Sequence, residues 1–188
     1  ASNAIASDGT WADFASSVSS LDSDGFSLSD GAQAANGNTE TYASWNWKAG
    51  GTASSNTDGS ITSSVSANTT AGFSIATYTG GSANASIGHG LSSAPELAIF
   101  KKRASNGADG ARGWAVWATP LSEGATYKKG LLLNSSGGEF DAYYKTATVN
   151  SSIFTMYENW QEQNYNGDDY VAYFFHSVDG YSKVGSYT

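Results

Sequence analysis

An internal repeat restricts the fold of this chain more than any other feature. Residues 1–51 align with residues 129–179 without a gap. A second match relates residues 72–74 to residues 180–182. Large side chains keep their spacing in these matches: Ile5 aligns with Leu133, Phe26 with Phe154, Tyr42 with Tyr170, Trp45 with Tyr173, and Trp47 with Phe175. Conserved spacing favours duplication over chance similarity in a Ser- and Gly-rich background, so the chain is predicted to be cut from an array of units.

The matches divide the chain into three parts. Residues 72–179 form one complete unit, and residues 180–188 begin the following unit. We treat residues 72–188 as one region, a complete β-sandwich repeat with the start of the next repeat. Residues 1–51 correspond to the back part of a preceding unit. Residues 52–71 are rich in Ser, Thr, Asn and Gly and are predicted to be a connector. Because part of a unit leaves apolar surface bare, we expect residues 1–51 to pack on the main region or on a neighbouring subunit.

Short β-prone segments bounded by turn residues dominate the complete unit. They are residues 73–78, 97–101, 114–118, 130–134, 152–157 and 170–175. Helix signals are nearly absent, and at most one short helix is expected, near residues 10–20. Strands at this spacing without crossover helices predict an all-β fold, an antiparallel β-sandwich or jelly roll.

The core is predicted to be aromatic. Phe, Trp and Tyr make up 13% of the chain, and each ring buries enough area to compensate for the scarcity of aliphatic residues. Alternation along a strand places Trp45 and Trp47 on one face, which we expect to be the core face. The same register is expected to bury Tyr173 and Phe175, with which the two tryptophans align.

Charge and composition exclude several classes of function. The formal net charge is −8, so the chain lacks the positive surface that nucleic acids or anionic membranes require. No apolar run approaches the length of a membrane-spanning helix. The absence of cysteine excludes disulfides, thiolate zinc sites and cysteine nucleophiles. We therefore expect no nucleic-acid partner and no membrane insertion.

The titratable residues do not form a recognisable catalytic or metal-binding motif. His89 lies in a glycine-flanked turn, and His176 ends a predicted strand, where a surface position is expected. Asp22 and Asp24 surround a glycine turn but lack the ligand spacing of a calcium loop. A carboxylate pair for glycoside hydrolysis would come from distant strands, and the sequence selects none. The prediction is therefore a non-enzymatic protein with no catalytic residue, metal or cofactor.

The basic triplet at residues 101–103 stands out in the acidic chain. It follows a predicted strand and precedes a loop. Solvation of that loop or protection of a sheet edge is the expected role.

Exposed aromatic residues are the remaining candidates for binding chemistry. Tyr143 and Tyr144 are adjacent, and Tyr157 and Trp160 lie in a segment rich in Asn, Gln and Glu. Rings flanked by amides can stack on a sugar face and bind its hydroxyl groups. Packing of this long loop on its own sandwich explains the same residues and is the preferred interpretation. Weak, multivalent glycan binding through these four residues is the hypothesis.

A further set of segments covers most of residues 42–188. They are residues 47–53, 55–61, 67–75, 78–80, 88–91, 94–95, 114–117, 170–173 and 180–188. In their order and spacing, these segments resemble a repeated domain of marine bacteriophage structural proteins. The resemblance implies a lectin-like β-sandwich in a tail fibre, spike or capsid appendage, with no catalytic residues. The expected partners are copies of the same protein, other virion proteins or a host surface glycan. The expected location is the virion surface or the extracellular space. An extracellular filament or adhesin of a cell, or a polysaccharide-degrading enzyme, are the alternatives.

Overall fold

The computed structural model describes residues 3–4, 14–15, 18–29, 33–104, 112–121, 128–144, 149–157 and 160–187. These described residues form fourteen β-strands and one helix of four residues. In chain order the elements are β1 (Asn3–Ala4), β2 (Phe14–Ala15), β3 (Val18–Leu21), β4 (Phe26–Leu28), α1 (Gln33–Asn36), β5 (Ser54–Asn56), β6 (Ser63–Asn68), β7 (Phe73–Thr79), β8 (Ala85–Gly88), β9 (Leu97–Ala104), β10 (Trp114–Ala118), β11 (Lys128–Leu132), β12 (Phe140–Tyr144), β13 (Ile153–Met156) and β14 (Asp169–Phe175).

Eight of these strands form one large antiparallel sheet, in the order β12-β11-β10-β9-β14-β7-β6-β5. The three smaller sheets are the antiparallel pairs β1-β2, β3-β4 and β8-β13. The predicted all-β class is confirmed, and the arrangement is consistent with a β-sandwich. The six strands predicted in the complete unit are present as β7, β9, β10, β11, β13 and β14.

The core lies between the large sheet and the β8-β13 pair. Phe154 of β13 is fully buried. Its ring centroid lies 5.2 Å from the centroids of the Phe100 and Trp117 rings, and 5.6 Å from the centroid of the Phe174 ring. Ile87 of β8 is also fully buried. Aromatic pairs at such distances stabilise a fold by about 0.5–1.5 kcal/mol each beyond their burial. The core is therefore aromatic, as the composition predicts.

The segment predicted to be a connector, residues 52–71, instead contributes two strands to the large sheet. β6 pairs with β7, and β5 pairs with β6 at the edge. Ser63 and Val65 alternate inward and are buried, and the Ser63 hydroxyl donates to the Gly88 carbonyl oxygen at 2.9 Å. Small polar side chains can enter a core when a backbone group satisfies them, so a linker-like composition conceals a strand here.

The described residues of the segment 10–20 do not include the one short helix that the sequence allows there. Strands β2 and β3 occupy the described residues of that segment, and the helical turn lies later, at Gln33–Asn36. The segment contains four serines and Val18, which favour turns and strands over a helix interior.

The predicted burial of four aromatic residues is also wrong. Trp45 and Trp47 lie in a segment without regular structure and are 76% and 56% exposed. In β14 the fully buried Phe174 faces the core, whereas Tyr173 and Phe175 are half-buried on the opposite face. β14 is apolar on both faces, so alternation alone cannot decide which set of side chains points inward. Ile5 lies outside the described residues.

Two turns agree with the internal repeat. In the first turn, the Asp22 N–H donates to the Gly25 carbonyl oxygen at 2.9 Å. In the second turn, at the aligned positions, the Asn150 N–H donates to the Ile153 carbonyl oxygen at 3.1 Å. A bridge flanks each turn at aligned positions, joining Leu21 to Phe26 and Val149 to Phe154. The correspondence ends at the segment of Trp45 and Trp47, which does not repeat β14. Duplication and the division into repeat parts stay predictions.

Candidate functional site

The face of the large sheet opposite the core carries an apolar cavity of about 1030 Å³. Its floor consists of side chains from four neighbouring strands: Phe73, Ile75, Ile99, Trp114, Tyr173 and Phe175. Trp45 and Trp47 form one wall, and Leu133 with residues 134–136 forms another. We call this feature the aromatic groove.

The sheet register brings the floor residues together. Tyr173 of β14 pairs with Ile75 of β7 on one side and with Ile99 of β9 on the other. Phe175 pairs with Phe73 in the same way. Directly paired residues point to the same face, so two rows of apolar side chains cross the outer face of the sheet.

Ring contacts fix the tryptophan wall on this floor. The ring centroid of Trp47 lies 6.4 Å from that of Phe73 and 5.9 Å from that of Phe175. Across the groove, Trp114 and Tyr173 stack with centroids 6.2 Å apart. The segment before β5 is thus held on the sheet by Trp47, while the Trp45 ring remains mostly in solvent.

The opposite wall is polar and held by the backbone. The Asn134 side-chain oxygen accepts from the Trp114 N–H at 2.8 Å, and the Ser135 hydroxyl oxygen accepts from the Gly137 N–H at 3.0 Å. Ring faces, an amide and hydroxyl groups therefore lie around one cavity. Among its described lining residues there is no charged side chain and no histidine.

The residues predicted to bind glycans lie elsewhere. Trp160 is half-buried and packs on Phe140 with ring centroids 6.4 Å apart, at the edge of the core. Tyr157 is half-buried, and its carbonyl oxygen accepts from the Asn164 side chain at 3.0 Å. Tyr143 and Tyr144 end β12, and their side chains lie outside the described residues. Glycan binding by these four residues stays a prediction, and the structure does not place Trp160 or Tyr157 in the aromatic groove.

The sequence contains a signal for the groove that the search for exposed aromatic residues missed. The residues of β14 from Val171 to Phe175 are all apolar. Because side chains alternate between the two faces of a strand, this run predicts apolar surface on both faces of the sheet at β14. The aligned Trp45 and Trp47 were assigned to the core instead.

The two histidines are both buried. His89 is fully buried; its Nδ1 accepts from the Leu91 N–H at 3.1 Å and its Nε2 donates to the Asn150 carbonyl oxygen at 3.0 Å. Burial lowers the pKa of His89, outweighing the opposite effect of the hydrogen bond to Asn150. His176, expected at the surface, is buried because its backbone N–H bonds the Gly72 carbonyl oxygen at 2.9 Å, which brings this strand end against a tight turn.

Two residues of the basic triplet, Lys101 and Lys102, are buried rather than solvated at a loop or an edge. β9 continues through it as an interior strand of the large sheet, and Lys101 and Lys102 are fully buried. The Lys101 ammonium donates to the Arg112 carbonyl oxygen at 2.7 Å, and the Lys102 ammonium lies 2.6 Å from the Asp168 carboxylate. Each amine reaches a partner through its long apolar stem, which is how a lysine can enter an interior.

Two of the described carboxylates accept hydrogen bonds from hydroxyl groups. The Ser27 hydroxyl donates to Asp22 at 2.9 Å, and the Thr79 hydroxyl donates to Asp169 at 2.9 Å. Within the described ranges, no three His, Asp or Glu side chains cluster as a metal site would require. None of the helical residues described forms a segment long and apolar enough to cross a membrane.

Comparison with known proteins gives one match. A family model described as a domain of unknown function, DUF7483, covers residues 1–188. No curated protein and no solved structure matches the chain.

Proposed function

The chain belongs to the DUF7483 family, and we propose that it is a non-enzymatic structural and adhesive protein of a virion surface, such as a tail fibre, spike or capsid appendage. It binds a surface glycan weakly through the aromatic groove. The observation that carries this proposal is the exposure of tryptophan rings beside amide and hydroxyl groups in one open cavity.

The chemistry of the groove suits a sugar. A pyranose ring offers an apolar face of C–H groups and a rim of hydroxyls. The Trp45 ring is 76% exposed and can stack against the apolar face, while Asn134 and Ser136 lie within reach of the rim. An apolar cavity with a few polar groups is the usual form of a small-molecule site.

Binding without hydrolysis agrees with the residues around the groove. Glycoside hydrolysis requires two carboxyl groups on either side of the scissile bond. The described lining of the groove supplies rings, aliphatic side chains, an amide and hydroxyls. These groups can hold a sugar but cannot transfer a proton to it at neutral pH, so an adhesive role is favoured over a polysaccharide-degrading enzyme.

The repeated turns and the resemblance to phage structural repeats support a place in an assembly. A shallow platform that binds one sugar weakly becomes effective when many copies present it together, because each bound site raises the local concentration at the next. Copies of this chain or other virion proteins are the expected partners. Detection of the chain in purified virions, rather than in a cell envelope, tests this location.

The glycan site is tested on an array with a multivalent form of the full chain. Trp45→Ala is expected to reduce binding by about tenfold or more, the loss typical of a central aromatic contact. Tyr187→Ala is the matched control, because Tyr187 is an exposed aromatic residue outside the groove. Loss in Trp160→Ala with binding retained in Trp45→Ala would place the site in the loop instead. Absence of binding by the multivalent form would contradict the proposal.

A further inference from the structure

A lysine and an aspartate meet in the interior of the molecule without a role in the proposed binding. Lys102 lies in β9, and Asp168 immediately precedes β14, the neighbouring strand of the large sheet. The Lys102 Nζ is 2.6 Å from the Asp168 Oδ2, and the two side chains are 1% and 0% exposed. Although this is ion-pair distance, the angles at the contact are outside those of a hydrogen bond.

The surroundings of this pair exclude water. The Tyr165 ring centroid lies 5.8 Å from the Lys102 Nζ. Tyr170 is almost fully buried and stacks on Tyr78 with centroids 5.4 Å apart. The Tyr170 hydroxyl donates to the Gln161 carbonyl oxygen at 2.7 Å, so this group is already engaged. Burial raises the pKa of Tyr170 well above its usual value, as expected of a dry site.

Two charges in such a site are costly. A buried ion pair regains its desolvation cost only with good geometry and further hydrogen bonds. Among the described residues, the Lys102 ammonium finds no hydrogen-bond acceptor of suitable geometry. Transfer of one proton from the ammonium to the carboxylate gives a neutral amine and a carboxylic acid. This transfer removes both charges from the interior. The neutral amine is a nucleophile, and the acid carbon is its nearest electrophile.

We propose that Lys102 and Asp168 form an intramolecular isopeptide bond. The Nζ lone pair attacks the Asp168 Cγ and forms a C–N bond. The C–OH bond of the acid then breaks, and the hydroxyl group leaves as water with a proton from Nζ. The products are one amide and one water molecule, and the reaction needs no oxidant, metal or cofactor. Holding the two groups in contact replaces a bimolecular encounter, which accelerates such a reaction by many orders of magnitude.

A second pair in the chain shows why the reaction selects this lysine. Lys129 and Asp141 also form an ion pair, with Nζ and Oδ1 2.8 Å apart, but the side chains are 28% and 64% exposed. Water reaches both groups there and competes with their contact. The surface pair is therefore not expected to react and serves as an internal control.

Intact mass of the purified, denatured full chain is the test. The wild-type chain is expected to weigh less than its sequence mass by one water molecule. Peptide mapping is expected to find one branched peptide that joins residue 102 to residue 168. Lys102→Arg and Asp168→Ala are expected to keep their full sequence masses, whereas Lys129→Arg is expected to retain the deficit of one water.

Asp168→Asn gives a second variant with a distinct leaving group. Attack on its side-chain amide releases ammonia and yields the same amide, so its final mass is expected to equal that of the linked wild-type chain. A wild-type chain with its full sequence mass overturns the proposal. A deficit that maps to any other pair of residues also overturns it. Both readouts use the denatured wild-type chain, so they do not depend on whether a variant folds.

Discussion

One buried histidine makes the stability of this protein depend on pH. Both ring nitrogens of His89 are engaged, one as acceptor and one as donor, which requires the neutral ring. Burial lowers its pKa in the fold, so the unfolded chain takes up the proton first as the pH falls through about 6.5. The stabilising contribution of His89 is present above that pH and is lost below it.

His89→Gln is expected to remove this dependence. The glutamine amide can still donate near the Asn150 carbonyl oxygen, but it does not titrate. Chemical denaturation between about pH 5 and about pH 8 is the measurement, and the wild-type free energy of unfolding should fall at low pH by at most about 1.4 kcal/mol per pH unit from this group. An equal slope in the variant would assign the pH dependence to other groups.

Single residues also show where sequence reasoning stopped. The glycines that flank His89 indicate an interruption of regular structure, and β8 ends at Gly88, directly before this residue. Burial of Lys102 was not predictable, since three consecutive basic residues usually lie in solvent. Its partner, Asp168, lies far along the chain and becomes adjacent only when β9 and β14 pair.

At the scale of elements, the turn between β5 and β6 is fastened to β8. The Ser60 N–H donates to the Ser86 carbonyl oxygen at 3.0 Å, and the Ser86 N–H donates to the Ser60 hydroxyl oxygen at 2.9 Å. Gly59 enters this contact with a φ of 97°, and a Cβ there would lie 2.6 Å from the Ser86 carbonyl oxygen. Only glycine accepts both the positive φ and the close approach.

Gly59→Ala is therefore expected to destabilise the fold by about 1–3 kcal/mol. Gly138→Ala is the matched control, because no atom lies within 4 Å of its added Cβ, and its effect should stay within about 0.5 kcal/mol. Denaturant midpoints of the two variants give the comparison. Equal midpoints would mean that the turn can move away from β8 at little cost.

The strands differ in how far the sequence predicts them. β7, β9, β10 and β14 each contain a short run of apolar residues, with aromatic and β-branched side chains, and the sequence predicts all four strands. β5 and β6 consist mostly of Ser and Asn, and they are strands because β7 offers an open edge for hydrogen bonding. That edge exists only in the assembled sheet, so the composition of β5 and β6 cannot predict that they form strands. The aromatic groove was missed for the same reason.

For the whole molecule, all eight strands of the large sheet lie after residue 51. A fragment of residues 52–188 is expected to keep its β-sheet circular dichroism and a cooperative thermal transition. A fragment of residues 1–51 is expected to be unfolded alone, because its described strands form two-stranded pairs, which are marginal in water. Proton NMR of the two fragments is the measurement. A folded 1–51 fragment would contradict its assignment as part of a unit.

The position of β14 has a consequence for how the chain comes to be folded. It is the last described strand to be synthesised, yet it lies in the middle of the large sheet and pairs along its full length with β7 and β9. Until it emerges from the ribosome, β5–β7 and β9–β12 are separate sheets, each with an unpaired edge. Such long-range closure is slow, and open edges invite pairing with other chains. Insertion of β14 therefore covers both open edges in a single step.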